Sequence, residues 1–223
     1  TKIAYLAVEK PGGVDGYFGQ AVRVRLGYEE GSRSGPETLI AKFAATDHSV
    51  RKSAVSAGHY EREISFYREI APTTPLRTAR CYHADRDQSS GDFILLLEDL
   101  APMTPGDDVI GLSARQAAAA CREIAKLHAV WWKERDQLNR LPWMRVTGPA
   151  YFDAYPQRWA SFATRMEDRL PDRLRTVGSR LSRNPHTLRA HLDRAPITFV
   201  HGDYRPDNLF WGGTADDPSS VAV

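Results

Sequence analysis

The chain has few cysteines and no long hydrophobic run. Cys81 and Cys121 are the only cysteines among its 223 residues, so we expect no disulfide framework and a reducing, cytoplasmic location. No apolar stretch approaches the length that spans a membrane. The first six residues are followed closely by Glu9 and Lys10, unlike a secretory signal. We therefore expect no membrane partner.

Charge of one sign is not in excess either. The net charge is +2, and no basic run is interleaved with aromatic residues, so we expect no nucleic-acid partner. The chain contains no Gly-Lys-Ser or Gly-Lys-Thr, which excludes a P-loop nucleotide site. With 42% hydrophobic and 26% charged residues, the composition is typical of a globular protein with a substantial core.

The most informative string is His-Gly-Asp-Tyr-Arg-Pro-Asp-Asn at residues 201–208, which places Asp203 and Asn208 five positions apart. This is the spacing of a phosphoryl-transfer loop, in which the Asp orients an attacking hydroxyl and the Asn holds magnesium. Residues 197–200 are predicted to form a buried strand before the loop, and residues 209–211 a strand after it, ending in a Gly-Gly turn. The alternative is a polar loop in which Asp203 caps a turn.

A lysine and its carboxylate partner are expected upstream of such a loop. Residues 39–43 have the pattern of an apolar strand that contains a single lysine, Lys42. The helix predicted at residues 59–70 offers Glu61, Glu63 and Glu69. Helical geometry favours Glu63, because it shares a face with three aromatic residues, whereas Glu61 shares a polar face. The alternative is that Lys42 and Glu63 are both solvated.

Further elements are predicted along the chain. Ser113 and Gln116 form a capping-box pattern for an alanine-rich helix that runs to about Trp132. Two helices are predicted at residues 149–169 and 171–192, and turns at residues 31–36 and 89–92. The apolar run at residues 93–97 is predicted to be a strand buried on both faces.

In this order the motifs resemble the aminoglycoside phosphotransferase and choline kinase superfamily, particularly its ecdysteroid-kinase-like branch. The resemblance implies an α+β, protein-kinase-like two-lobe fold, with residues 1–100 as an N-lobe of antiparallel sheet and one helix. Residues 101–223 would form a partial, mostly helical C-lobe with the catalytic loop. The implied activity is that of a kinase that uses ATP and Mg²⁺ to phosphorylate a hydroxyl of a small molecule.

The resemblance also implies site roles. Asp203 would be the catalytic base, Asn208 the magnesium ligand, and Lys42, oriented by Glu63, a contact of the α and β phosphates. After the strand at residues 93–97, the backbone of Glu98 and Leu100 would bind adenine. The glycine-rich residues 11–19, with Gly16 and Gly19, suit either a phosphate-covering loop or an ordinary hairpin turn.

A second metal-binding Asp is expected after the strand that follows the loop, at residues 220–223. Asp216 and Asp217 precede that strand in a turn with Pro218 and are poor substitutes. We therefore expect that the chain is a fragment that stops before this ligand, and that by itself it binds nucleotide poorly and transfers phosphate negligibly.

Two features bear on the acceptor. Gly202 stands where protein kinases place an arginine that senses phosphorylation, which favours a constitutive small-molecule kinase. Residues 158–194 contain nine arginines against four acids, which disfavours a polycationic acceptor and favours a neutral or lipophilic alcohol. The arginines are equally compatible with solvated helical faces.

Two other functions stay open. One is a non-catalytic kinase-like module that binds a nucleotide or another ligand. The other is a metal-dependent hydrolase with His201 and Asp203 as ligands, although no further His or Asp cluster stands at ligand spacing.

Overall fold

The structure, a computed structural model, describes residues 2–9, 18–32, 35–144 and 152–223. The chain divides into two compact units, of which the first combines Thr1–Trp131 with Phe199–Val223 and the second is Trp132–Thr198. The lobe boundary expected near residue 100 stays a prediction.

The first unit contains a five-stranded sheet in which all neighbouring strands are antiparallel, in the order β1-β2-β3-β5-β4. Its strands are β1 (Ile3–Glu9), β2 (Gly19–Tyr28), β3 (Thr38–Ala44), β4 (Cys81–Arg86) and β5 (Phe93–Glu98). The strands predicted at residues 39–43 and 93–97 are thereby confirmed. Burial alternates along β5, so this strand is fully buried on one face only and not on both as predicted.

Two turns were predicted between these strands, at residues 31–36 and 89–92. Asp87 accepts hydrogen bonds from the Ser89 and Ser90 amides, and Gly91 has a left-handed φ of 71°, so the predicted turn at residues 89–92 is confirmed. In the turn predicted at residues 31–36, residues 33 and 34 lie outside the described residues.

Two helices lie between β3 and β4, where the sequence predicted one. Helix α1 (His48–Ala57) is capped by Asp47, whose carboxylate accepts from the Ser49 and Val50 amides. Gly58, with a φ of 70°, ends α1 and starts α2 (His59–Ser65), which continues as a π-helical turn, Phe66–Ile70. Helix α2 places Tyr60 and Ile64 in the core beneath β5.

The first unit also contains a three-stranded sheet of β6 (Thr104–Pro105), β7 (Phe210–Gly213) and β8 (Pro218–Ala222), in the order β6-β7-β8. Helix α3 (Ala114–Val130) packs on it and begins with the predicted capping box. The Gly-Gly pair predicted as a turn lies inside β7, because Gly212 and Gly213 pair with β8.

The strand predicted at residues 197–200 is wrong, since this segment is not a strand. Of its four residues only Phe199 is buried, and its ring packs against Phe66 and Trp131. Val200 is 58% exposed, so the apolar run does not enter a sheet.

The second unit is helical, with α4 (Arg135–Asn139), α5 (Tyr155–Arg165), α6 (Asp172–Arg183) and α7 (Pro185–Leu192). The single helix predicted at residues 171–192 is wrong, because it breaks at Asn184, which has a ψ of 47°, before Pro185. Proline lacks an N–H and disfavours helical geometry in the residue before it. Of the helix predicted at residues 149–169, residues 149–151 lie outside the described residues. No helix within the described ranges is both long and apolar enough to cross a membrane.

Candidate active site

Lys42 and Glu63 form an ion pair between the sheet and its helix. Lys42 lies in β3, paired on either side with Ala21 and Leu95, and its Nζ donates to the Glu63 carboxylate in α2. Glu61, two residues earlier, points elsewhere and pairs with Arg86 at 3.3 Å. The helical-face prediction is confirmed as a contact, since Glu63 and not Glu61 meets the lysine. Both side chains are about one-third exposed (36% and 31%), so the pair is accessible to a ligand.

Hydrogen bonds between Asp203 and Asn208 close the loop that contains them. The Asn208 side-chain amide donates to the backbone carbonyl of Asp203 and to its carboxylate, both at 2.9 Å. A 3₁₀ turn, Pro206–Asn208, brings the two residues together. Gly202 enters the loop with a φ of 87°, a conformation that favours glycine. The backbone therefore gives a reason for glycine at this position beyond the missing arginine.

Arg205 lies among three carboxylates. Its guanidinium contacts Asp203 at 3.2 Å, Asp207 at 2.9 Å and Asp108 at 2.5 Å. Desolvation lowers the pKa of Arg205, but these three charges outweigh it and raise the pKa above the usual value. Neither Arg205 nor Asp108 was predicted to have a role. Arg205 could have been noticed as a cation between two acids, whereas nothing in the sequence connects it to Asp108.

The loop is held by the half-buried side chains of His201 and Tyr204 and by the buried Leu209. The Asp203 N–H donates to His201 Nδ1 at 3.3 Å, and burial lowers the pKa of His201, which favours the neutral imidazole that can accept this bond. The Tyr204 hydroxyl donates to the Ala120 carbonyl of α3 at 2.9 Å. Burial raises the pKa of Tyr204 to about 12, so the hydroxyl keeps its proton. Leu209, which follows the loop, is 1% exposed. The Asp203 carboxylate is thus presented to solvent on a fixed backbone.

The segment after β5 combines ion pairs with a free backbone donor. The Glu98 carboxylate accepts two bonds from Arg77, at 2.9 and 2.6 Å, and these hydrogen bonds lower the pKa of Glu98. The Glu98 N–H donates to Arg80, which leaves the carbonyl as its candidate adenine contact. Leu100 is buried, and among the described residues its N–H has no hydrogen-bond acceptor. An N–H without a partner suits a ligand acceptor such as an adenine nitrogen.

Asp99, between them, is paired with Arg23 of β2. The Arg23 guanidinium donates to both carboxylate oxygens, at 2.7 and 3.2 Å, and the Asp99 side chain is only 4% exposed. Although burial raises the pKa of Asp99, the hydrogen bonds from Arg23 and Thr38 lower it below the usual value. This pair was not predicted, and it ties β2 to the segment after β5.

Of the two glycines predicted to approach phosphate, only Gly19 lies among the described residues. Gly16 lies outside the described residues. Gly19 begins β2 opposite Ala44, and a Cβ there would lie 2.8 Å from the Phe43 carbonyl oxygen. Packing against β3 is therefore sufficient to require glycine, and a phosphate contact by Gly19 stays a prediction.

The donor set suits a magnesium nucleotide. Asn208 uses its amide nitrogen on Asp203, and within the described residues its amide oxygen accepts no hydrogen bond, so an oxygen ligand is available beside a carboxylate. The described residues contain no group of three or more His, Cys, Asp or Glu placed to hold a metal ion.

Comparison with known families gives one match. A model described as the phosphotransferase enzyme family (APH) matches residues 24–223, which is most of the chain. Comparisons with curated proteins and with solved structures found no significant match. The match spans the Lys42 strand, the Glu63 helix and the Asp203 loop, and the sheet and helices agree with the α+β, protein-kinase-like fold of that family. The chain belongs to the phosphotransferase enzyme family.

Proposed function

We propose that the protein is a kinase that transfers the γ-phosphoryl group of ATP to a hydroxyl of a small molecule, with Mg²⁺ as cofactor. The observation that carries this proposal is the hydrogen bonding of Asn208 to both the carboxylate and the carbonyl of Asp203. It fixes a solvent-facing carboxylate next to a free amide oxygen, which is the pairing that phosphoryl transfer requires.

In the proposed reaction, Asp203 orients the acceptor hydroxyl and accepts its proton. The hydroxyl oxygen forms a bond to the γ phosphorus as the bond to the leaving ADP oxygen breaks. Asn208 would hold the magnesium ion, which supplies charge neutralisation at the phosphates when bound. Arg205, in contact with Asp203, places a positive charge close to the transferred group.

The nucleotide would be held by the sheet side of the site. Lys42, kept in place by Glu63, would contact the α and β phosphates. The Glu98 carbonyl and the free Leu100 N–H would bind adenine, and Gly16 and Gly19 would belong to the loop over the phosphates. Use of ATP agrees with the cytoplasmic location that we propose.

For the acceptor we propose a neutral or lipophilic alcohol, as in an ecdysteroid-kinase-like enzyme. Nine arginines against four acids in residues 158–194 would repel a polycation. Gly202 leaves no arginine to receive an activating phosphate, so we expect activity without prior phosphorylation.

The test compares Asp203→Asn and Asn208→Ala in the full-length protein. We expect Asp203→Asn to leave ATP affinity nearly unchanged and to lower turnover by roughly a hundredfold or more, as for loss of a positioned base. Asn208→Ala should instead weaken nucleotide binding only when Mg²⁺ is present. Calorimetric ATP titrations with and without Mg²⁺, together with a phosphate-transfer assay, separate these effects. Asp216→Asn, an exposed acid in the turn before β8, is the matched control.

The acceptor is identified by a screen of neutral alcohols, sterols, macrolides, choline and aminoglycosides. Turnover of aminoglycosides alone would refute the argument from the arginine excess but would still agree with the proposed kinase activity. ATP binding by the full-length protein without transfer to any acceptor would instead support the non-catalytic binding module.

A further inference from the structure

The loop between β6 and α3, residues 106–111, is pressed against the catalytic loop. The Gly106 N–H donates to the Leu209 carbonyl at 2.8 Å, and a Cβ on Gly106 would lie 2.1 Å from the Pro206 carbonyl oxygen. Asp107 fixes the loop internally, because its carboxylate accepts from the Val109 and Ile110 amides at 2.7 and 3.0 Å. The loop therefore has a defined shape beside Pro206.

Asp108 joins this loop to the residues around the base. Its carboxylate accepts from Arg205 at 2.5 Å and from the Asp207 N–H at 3.3 Å. Arg205 in turn contacts Asp203 at 3.2 Å. Asp108 is thus separated from the proposed catalytic base by a single side chain.

The two residues after Asp108 are the most exposed large apolar side chains in the part of the chain that the structure describes. Val109 is 96% exposed and Ile110 is 84% exposed, whereas the other exposed large apolar side chains there do not exceed 59%. Two adjacent side chains exposed to this extent form a contiguous apolar surface, and such surfaces mark sites of ligand or partner contact. Because the turn at Asp107 fixes their backbone, the two side chains project in a set direction from a loop that is linked to Asp203 through Asp108 and Arg205.

We propose that Val109 and Ile110 form an apolar lip that contacts the lipophilic part of the acceptor while its hydroxyl lies at Asp203. This inference rests on the proposed function and makes it more specific, since it assigns acceptor selectivity to two residues. We assign the acceptor as the ligand of the lip because the lip directly follows Asp108, which contacts Arg205, and Arg205 contacts Asp203, where the alcohol would place its hydroxyl. The lip discriminates by apolar contact, and Asp108 and Asp107 position it.

The test replaces both lip residues by threonine, as Val109→Thr with Ile110→Thr, in the full-length protein. Threonine keeps the β-branched shape and removes apolar surface. The matched control is Ile3→Thr with Val8→Thr on β1, the same residue types at 53% and 59% exposure. Probes are primary alcohols from 1-butanol to 1-decanol, assayed by ADP release with ATP and Mg²⁺.

For the wild type, kcat/KM should rise by up to about fourfold per methylene, which is the transfer free energy of one methylene converted at room temperature. In the lip variant the rise should fall below about twofold per methylene, through KM for the alcohol, while KM for ATP stays unchanged. The control variant should keep the wild-type slope. An unchanged slope in the lip variant would overturn the inference and leave the proposed kinase intact.

Three further outcomes are decisive. A wild type that phosphorylates only cationic acceptors would overturn the lip and keep the kinase, whereas one that transfers phosphate to no acceptor would refute the proposed function itself. Light scattering tests the remaining occupant, a second copy of the chain. A dimer that dissociates in the lip variant only would show that the lip is an interface, and it would overturn the assignment.

Discussion

Replacing Arg23 by methionine should destabilise the protein through Asp99, and the expected size follows from the contacts. Arg23 donates two hydrogen bonds to a carboxylate that is 4% exposed, while Arg23 itself is 29% exposed. Methionine keeps much of the side-chain length but donates nothing. Asp99 would retain the bond from the Ala101 N–H at 3.0 Å, so the buried carboxylate would be partly compensated.

The loss in the free energy of unfolding should lie between the contribution of one hydrogen bond to a charged group and the loss caused by breaking a buried ion pair. Hydrogen bonds to charged groups contribute about 1.5–3 kcal/mol, and breaking a fully buried pair costs about 3–5 kcal/mol. Because Arg23 is partly exposed and Asp99 keeps other donors, we expect a loss of about 2–3 kcal/mol in the free energy of unfolding. This should lower Tm by roughly 5–10 °C in a chain of this length.

The effect should also depend on pH with a defined sign. The pKa of Asp99 is lowered in the folded state, from the usual value of 3.8. The stabilisation is therefore complete above 3.8 and is lost as pH falls through the lowered folded pKa. The difference between wild type and Arg23→Met should accordingly shrink in acid below that value.

Urea unfolding of the full-length protein, followed by circular dichroism, measures both effects. Arg25→Met is the control, because Arg25 lies on the same strand and pairs with Glu9 at 3.3 Å, with both side chains about half exposed. That surface pair should contribute no more than about 1 kcal/mol to the free energy of unfolding. Equal losses for the two variants, or a loss at Arg23 that does not change in acid, would refute the argument from burial.

Two further predictions concern the site. Glu63→Gln breaks the ion pair with Lys42 and should lower kcat/KM for ATP by roughly tenfold or more in steady-state kinetics. Glu61→Gln breaks only the pair with Arg86, so kcat/KM for ATP should stay within about twofold of the wild-type value. Gly202→Ala should cost about 1 kcal/mol or more in urea unfolding from strain alone, because φ is 87° and no atom lies within 4 Å of the added Cβ; an unchanged midpoint would contradict the strain argument.

Local patterns were sufficient for several elements. The apolar runs at residues 39–43 and 93–97, the capping box at Ser113 and the aromatic face around Glu63 each depend on neighbours within a few positions. Strand alternation, helix capping and the helical repeat act over that range, so the sequence could predict them. The Lys42 and Glu63 contact followed from one such face.

Local sequence patterns gave wrong predictions where contacts with distant residues determine the structure. Residues 197–200 have the composition of a strand, yet a strand needs a hydrogen-bonding partner, and the ring of Phe199 packs against Phe66 and Trp131 instead. The glycines of β7 indicated a turn because their pairing with β8 could not be anticipated. Pro185, by contrast, ends α6 through a local effect, because proline disfavours helical geometry in the residue before it.

The sequence by itself determined that Asp203 and Asn208 can come together, because a single turn spans the five positions between them, and the Asn208 amide does donate to the Asp203 carboxylate. It also determined which glutamate faces Lys42. Only the tertiary structure decided what surrounds these groups. The contact of Asp108 with Arg205 joins residues 97 apart, and that of Arg23 with Asp99 joins residues 76 apart. Such pairs form when packed strands and loops bring charges together, and no periodicity along the chain encodes them.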